Sequence, residues 1–507
     1  MPSLKEEKNV DSSACGFGYW RSVLCPLYRS ELRKFVPLVL IMFCVLFNYT
    51  TVRNIKDSLI ISSTINGNLV ISWIKVVFVV PSSILFVITY AKLSDKLSKS
   101  SLYIACLVPF AVFFLLFAGF IYPNRWALQA SPETVLKFKK MFPALQDLVP
   151  AIGYWCYTSF YVVAEIWGNV GLQILFWQLA NQITNISEAK RVYPLFGLGA
   201  NLGMVSAGLL TIYSEKILVL PSGHNNFCAQ VSLYSWSFVF CCIIILAAYS
   251  WLCKTCGKNC ASLAKAPAEK RTHKAISLRE SFRHIVSSKY IICIAILVVS
   301  YNLTINITEV VWKGQIGEVY KSERAINAFM GYLYITLGIT TILFTLVSKN
   351  FIKAFGWLFS ASVTPLIMAI TSCLFFALML SKDSAYILSI ARIIGTSPEI
   401  LIICVGFFQN VFCRGSKYAL FDPTKEMAYI PLNDELKMKG KAAVDLVASR
   451  AAKSSGGVVI TSLNFVLNKV GAIGLIYPML SAVTSIICIA WFATVRKMSV
   501  FYKNKLD

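Results

Sequence analysis

Charged side chains standing inside apolar runs are the residues of this chain whose types and spacing can do chemistry. Arg53, Lys56 and Asp57 close one such run, and their spacings of three and four place them on one helical face. Arg53 and Asp57 can pair at i, i+4, which leaves Lys56 without a local counter-ion, a cation suited to an anionic oxygen such as that of a phosphate. Lys75 adds a further cation in the next run. A charge at mid-span costs ~2.5–3.5 kcal/mol even on a lenient scale, so each needs a partner, a watery cavity or a function. The plainer reading is a helix end whose charges snorkel into headgroups. A third run, Tyr154-Trp155, Tyr157, Phe160-Tyr161, Glu165 and Trp167, holds a lone carboxylate among aromatic rings. Those rings can pack or stack on a flat base, a contact worth ~1–3 kcal/mol; the pattern does not select a ring, and Tyr157 stands for it in the candidate set. Asn302, Asn306, Glu309 and Lys313 follow spacings of four, three and four and form one polar stripe. Glu309 and Lys313 are in the favourable order for an intrahelical pair. That pair can stabilise a helix end, or serve as a gate in which Glu309 exchanges Lys313 for a cation elsewhere. Lys453-Ser-Ser-Gly-Gly457 superficially resembles a phosphate loop but lacks the full Walker pattern, and no Walker site is present elsewhere in the sequence.

The elements that must carry these residues are membrane helices. Of 507 residues, 57% are hydrophobic and 14% charged, with a mean hydropathy of +0.66; soluble domains carry about a quarter charged residues. Apolar runs approach the ~20 residues that cross ~30 Å of hydrocarbon. Their pattern predicts helices over 35–53, 69–92, 101–122, 149–180, 192–213, 231–253, 288–312, 325–348, 354–380, 384–412, 440–468 and 473–496. The fourth is long enough to be tilted or broken at one end. The fold class is therefore all-α, a polytopic membrane protein of about twelve spans. No cleavable leader is evident in residues 1–34, and the first helix would serve as an uncleaved insertion signal.

The formal net charge of +24 follows the loops. Arg21, Arg29, Arg33 and Lys34 precede the first helix, Lys92, Lys96 and Lys99 fill the second loop, and Lys190 and Arg191 lie in the fourth. The sixth loop and the C-terminus are basic too, which places both termini in the cytoplasm. Arg125, Lys137, Lys139 and Lys140, in an odd loop, weaken that bias locally. Loop bias and anionic lipid account for most of the charge, so no nucleic-acid partner is implied. Residues 254–287 form a basic linker between six helices (35–253) and six more (288–496), flanked by cytoplasmic segments 1–34 and 497–507. Such a midpoint linker is typical of carriers made of two repeats, with the site near the midplane. Phe47-Asn48-Tyr49-Thr50 and Tyr301-Asn302-Leu303-Thr304 are a faint trace of the repeat. Cys253, Cys256 and Cys260 have reactive-looking spacing, but His273 and His284 do not complete a zinc pattern, and no metal or other cofactor is expected. The three histidines, His224, His273 and His284, flank no nucleophile motif, which argues against an enzyme.

Taken together, Asn48-Tyr-x-x-x-Arg53-x-x-Lys56-Asp57, Ala164-Glu165-Ile-Trp167, Phe176-Trp177-Gln-x-Ala-Asn181, Glu188-Ala-Lys-Arg191, Glu309-x-x-Trp312-Lys313, Leu420-Phe421-Asp-x-Thr424-Lys-Glu-Met-Ala-Tyr-Ile-Pro431 and Lys439-Gly-Lys-Ala-Ala closely resemble the nucleotide transporters of obligate intracellular bacteria and plastids. The resemblance spans roughly residues 28–500. It implies a major-facilitator-like fold in a bacterial inner membrane, a monomer, and exchange of external ATP for internal ADP. Proton-coupled net import of nucleotides is the alternative within the family. It also implies transport-critical roles for Lys56, Glu165, Glu309 and a lysine of the C-terminal half. Lys453 fits the family's Gly-Lys-Ser-Gly-Gly segment, although this chain reads Ala452-Lys453-Ser454-Ser455-Gly456-Gly457 there and lacks the first glycine.

Overall fold

The structure, a computed structural model, describes residues 28–63, 67–184, 186–217, 226–255, 288–432, 444 and 448–506. Most of the predicted linker, 256–287, lies outside them, as do Cys256 and Cys260. The described chain is built from helices: α1 (Arg29–Ser63), α2 (Leu69–Lys96), α3 (Lys99–Ile121), α4 (Trp155–Ile183), α5 (Ile186–Ile217), α6 (Asn226–Thr255), α7 (Lys289–Val319), α8 (Ala325–Ser348), α9 (Ala354–Leu380), α10 (Pro398–Tyr429), α11 (Ser449–Val470) and α12 (Ile476–Leu506). Eleven described helices are long and apolar enough to cross a bilayer. The remaining one, α11, has 22 residues and so a length of about 33 Å, enough to span. Its Lys453, Ser454, Ser455, Thr461 and Asn464 lower its apolarity.

Several boundaries differ from the pattern in the sequence, for identifiable reasons. Helix α1 continues ten residues past Arg53, to Ser63, so Arg53, Lys56 and Asp57 are interior residues. Lys56 is 3% and Asp57 1% exposed, which excludes the snorkelling reading. Before α4, the short helix Val149–Gly153 ends at Tyr154, where φ −98° and ψ 50° leave the helical region; of the two alternatives for the fourth run, the broken end is the one observed. The run 384–412 divides at Gly395, whose φ of +75° closes the short helix Ala385–Ile394, and Ser397 then caps α10 by accepting the Ile400 N–H. Helix α10 next absorbs what reads as a loop. Pro423 cannot donate to the carbonyl four residues back, and the preceding Lys417–Phe421 stretch widens to π geometry, which admits the ring without ending the helix. Similar π stretches occur at Lys75–Val79 in α2 and Val170–Gln178 in α4.

Apolar packing falls into one cluster drawn from Phe35 to Leu252 and two others drawn almost entirely from residues 290–498. The N- and C-terminal sets of helices meet along glycine seams. A Cβ on Gly208 of α5 would lie 2.7 Å from the Gly331 carbonyl oxygen of α8. On α11, a Cβ on Gly457 would lie 3.1 Å from Ser72 Cβ of α2, across the two sets, and one on Gly456 2.9 Å from Asn306 Cβ of α7, within the C-terminal set. The glycine pair after Lys453 is thus a helix-packing surface against α7 and α2, not a loop. Lipid gives no hydrophobic drive between helices, so close backbone contact and polar bonds must hold such seams. Beside the α5–α8 seam, Asn54 of α1 donates to Thr211 (3.2 Å) and to the Asn327 carbonyl (3.4 Å). Asn327, fully buried, donates to Gln230 and Tyr234 of α6 at 3.2 and 3.1 Å.

Gly208→Ala is expected to push α5 from α8 and to cost about 1–3 kcal/mol. Gly197→Ala, where a Cβ meets nothing within 4 Å, should be neutral or gain about 0.5–1 kcal/mol of helix stability. Thermal unfolding of the two detergent-solubilised variants checks this; equal Tm values would show that the seam does not limit packing.

Candidate functional site

The interior charges of α1 meet partners on α4 and α7, and the path they start extends to α10. Lys56 Nζ lies 2.9 Å from Asp57 Oδ1 and 2.8 Å from Glu165 Oε1 of α4, and sits 3.8 Å from the Tyr161 ring centroid. Asp57 Oδ2 accepts from Lys313 Nζ of α7 at 2.6 Å. Lys313 is also 2.7 Å from Glu309 Oε1, one turn back on the same helix. The Glu309 carboxylate takes Arg53 on Oε1 at 3.2 Å and Arg414 of α10 on Oε2 at 2.5 Å. The ion pairs form one connected path, Glu165–Lys56–Asp57–Lys313–Glu309, ending on Arg53 and Arg414. It joins α1 and α4 to α7 and α10.

The pairing expected at i, i+4 within α1 is not what forms. Arg53 reaches across to Glu309, with its guanidinium carbon 5.8 Å from the Tyr49 ring centroid. Lys56 has two carboxylates instead of none. A sequence-local rule worth a few tenths of a kcal/mol loses to partners met in a low dielectric, where each pair at ~4 Å is worth several. The stripe on α7 does form. Asn302 donates to the Val298 carbonyl (2.8 Å) and to Ser449 of α11 (3.4 Å), and Asn306 accepts from Lys75 of α2 at 3.4 Å. Lys75 is thus tied to α7 by a neutral group. Lys453 lies on α11 one turn before Gly457, and its side chain is outside the described set. Tyr157 packs against Tyr122 and Tyr154, with centroids 6.4 and 6.3 Å away; the ring on Lys56 is Tyr161, one turn further along α4.

Three participants escape a reading of the sequence. Arg414 falls in a loop when the tenth helix is ended at 412. Asp57 pairs with Arg53 if only local spacing is considered. Tyr161 is one ring among several, and nothing in the pattern singles it out. The charges of the path, three carboxylates against Arg53, Lys56, Lys313 and Arg414, leave one positive charge over, and two with Lys75. A site of this kind is suited to an anion with several oxygens.

The path borders a cavity of about 1770 Å³, lined by residues of both helix sets and including Lys313, Lys321 and Lys469. Its aromatic members are Trp73 of α2, Phe465 of α11 and Tyr477 of α12, and Lys469 caps the Phe465 ring at 4.6 Å. It lies where α1, α7 and α11 end, so it opens toward the face opposite the α1 N-terminus. Ligand pockets for drug-sized molecules occupy ~300–1,000 Å³, so this volume accommodates a large polar solute.

Removing one partner of a buried pair leaves an uncompensated charge at about 3–5 kcal/mol. Glu309 serves three cations, while among the described residues Glu165 pairs with Lys56 alone and its side chain is 30% exposed. Glu309→Gln is therefore expected to lower the melting temperature clearly more than Glu165→Gln; the reverse order, by differential scanning fluorimetry in detergent, would contradict the connectivity described.

Comparison with known proteins gives a consistent answer. The model of the family described as TLC ATP/ADP transporter matches residues 10–502. ADP,ATP carrier protein 1 of Chlamydia trachomatis serovar D is 38% identical, over 96% of this chain and 92% of the relative. ADP,ATP carrier protein 1 of Rickettsia prowazekii is 35% identical, over 95% and 96%. Among solved structures, a POT family transporter in complex with a thioalcohol-conjugated peptide aligns with a TM-score of 0.56 at 11% identity, over 91% of this chain and 96% of that one. The nucleoside transporter NupG aligns with a TM-score of 0.51 at 12% identity, over 92% and 99%. At such identities these two show a shared fold, that of major-facilitator-like carriers.

Proposed function

The chain belongs to the TLC ATP/ADP transporter family, and from that premise we propose that it exchanges external ATP for internal ADP by alternating access, without breaking a phosphate bond. The observation that carries the reading is the ion path itself: a cation surplus shared by both helix sets at the edge of a large cavity. Between transits, Glu165, Asp57 and Glu309 satisfy the cations. Polyphosphate oxygens take their place, so that binding is a partner exchange and not a bare desolvation. Arg53, Lys56, Lys75, Lys313 and Lys453 hold the phosphates, with Asn302 and Asn306 alongside. Because Arg53–Glu309 and Lys313–Asp57 tie α1 to α7, releasing them loosens the contact between halves, which lets the halves rock about the midplane. The basic loops put both termini in the cytoplasm of a bacterium whose inner membrane holds the protein as a monomer. The cavity then faces outward. On this reading the halves are 35–253 and 288–496, and 1–34, 254–287 and 497–507 are cytoplasmic.

Proteoliposomes loaded with ADP should take up labelled ATP and release ADP in step. Lys56→Ala and Lys453→Ala should each reduce the rate about 10- to 100-fold, the worth of a charge-assisted hydrogen bond of ~1.5–3 kcal/mol, with normal insertion. Uptake that needs no internal nucleotide and collapses with a protonophore would replace exchange by proton-coupled import; unchanged rates in both variants would remove the lysines from the site.

The base would lie nearer the mouth of the cavity than the phosphates, against Trp73. Trp73→Ala should weaken ATP binding by about 1–3 kcal/mol and leave tripolyphosphate binding unchanged, as measured by titration calorimetry. Equal losses for both ligands would show a packing role for this ring.

A further inference from the structure

Asp57 differs from the other carboxylates of the path in how it is held. Its two oxygens each take an ammonium, Oδ1 from Lys56 at 2.9 Å and Oδ2 from Lys313 at 2.6 Å. One lysine belongs to α1 and the other to α7, so one buried carboxylate bridges the two halves. Two oxygens on a single centre, each facing a lysine, is also the arrangement a phosphate group presents. Each lysine has one other carboxylate: Lys56 has Glu165 at 2.8 Å, and Lys313 has Glu309 at 2.7 Å, which it shares with Arg53 and Arg414. Lys313 lines the cavity, whereas Asp57 does not and is 1% exposed. An anion arriving through the cavity therefore meets Lys313 before it reaches Asp57.

We propose that Asp57 is an internal stand-in for a substrate phosphate, occupying the seat between Lys56 and Lys313 when no nucleotide is present and competing with it when one is. The inference rests on the reading that polyphosphates are carried here. Its consequence is that Asp57 holds affinity down. A carrier must release what it binds at each face, and a built-in competitor restores the lysine contacts as the phosphate leaves. The carboxylate also re-ties α1 to α7 after each transit. Asp57 is in this sense a positioning residue, acting on substrate through the two lysines.

Removing its charge should tighten binding while slowing turnover, the opposite of what loss of a structural ion pair would do. In Asp57→Asn, which keeps the side-chain volume, the Kd for ATP on purified protein should fall about tenfold or more, since a nearby negative charge is lost beside a polyanion. Exchange in ADP-loaded proteoliposomes should slow. Asp57→Glu, which keeps the charge, should bind ATP with close to the parent Kd. Should the amide variant fail to insert, Asp57→Ser removes the same charge with a smaller side chain and carries the same expectation. ATP binding that is unchanged or weaker in the folded, charge-free variant overturns the role of Asp57. Absence of saturable ATP binding by the parent protein would instead overturn the nucleotide reading, so the two failures are distinguishable.

Discussion

A charge placed in hydrocarbon must find an opposite charge inside the protein, and in this molecule the first helix cannot supply enough of its own. Asp57 is the one acid close to Arg53 and Lys56 on α1, and it is shared with α7. The remaining neutralising groups come from α4 and, through Glu309, from α7 again. This requirement fixes the relative placement of α1, α4, α7 and α10 more tightly than apolar packing in lipid could, because apolar surfaces gain little there by leaving one another's neighbourhood or entering it. The charge path is thus a structural centre and, on the function proposed, also the place where a polyanion is received.

The two roles are compatible because the rest of the contact between halves is built differently. The seams at Gly208–Gly331 and at Gly457–Ser72 bring backbones of the two sets close, with side chains such as Ile335 and Thr211 set into the glycine notches. Asn54 and Asn327 add directed bonds at one seam. Ion pairs between α1 and α7 and glycine notches at the α5–α8 seam thus hold the two sets of helices by different means.

How much of this is legible in the sequence depends on distance along the chain. Apolar runs mark nearly every helix, and the 4-3-4 spacing of Asn302, Asn306, Glu309 and Lys313 is enough to place a polar stripe on α7, because both features are local. The pairings are not local. Glu165 and Lys56 are neighbours only after folding, and the short-range rule that joins Arg53 to Asp57 fails against stronger distant partners. Helix ends fail for a related reason: polar residues that look like termini, such as those after 53 and after 412, are hidden by tertiary partners and so do not end a span. Arg414 is lost to that boundary error. Likeness of motifs to a known family supplies the nucleotide, which no count of charges could have named.

The π stretches in α2, α4 and α10 carry a mechanical meaning. A widened turn stores a surplus residue within an otherwise continuous rod. Returning it to ordinary α geometry displaces that residue and turns the segment beyond it by about 100°. Lys75 opens one such stretch, and Lys417 opens another. A helix with this built-in slack can re-aim a cation by twisting along its axis, with its hydrogen bonds remade and not lost. Backbone torsion therefore offers a second degree of freedom, independent of any tilting of the two bodies.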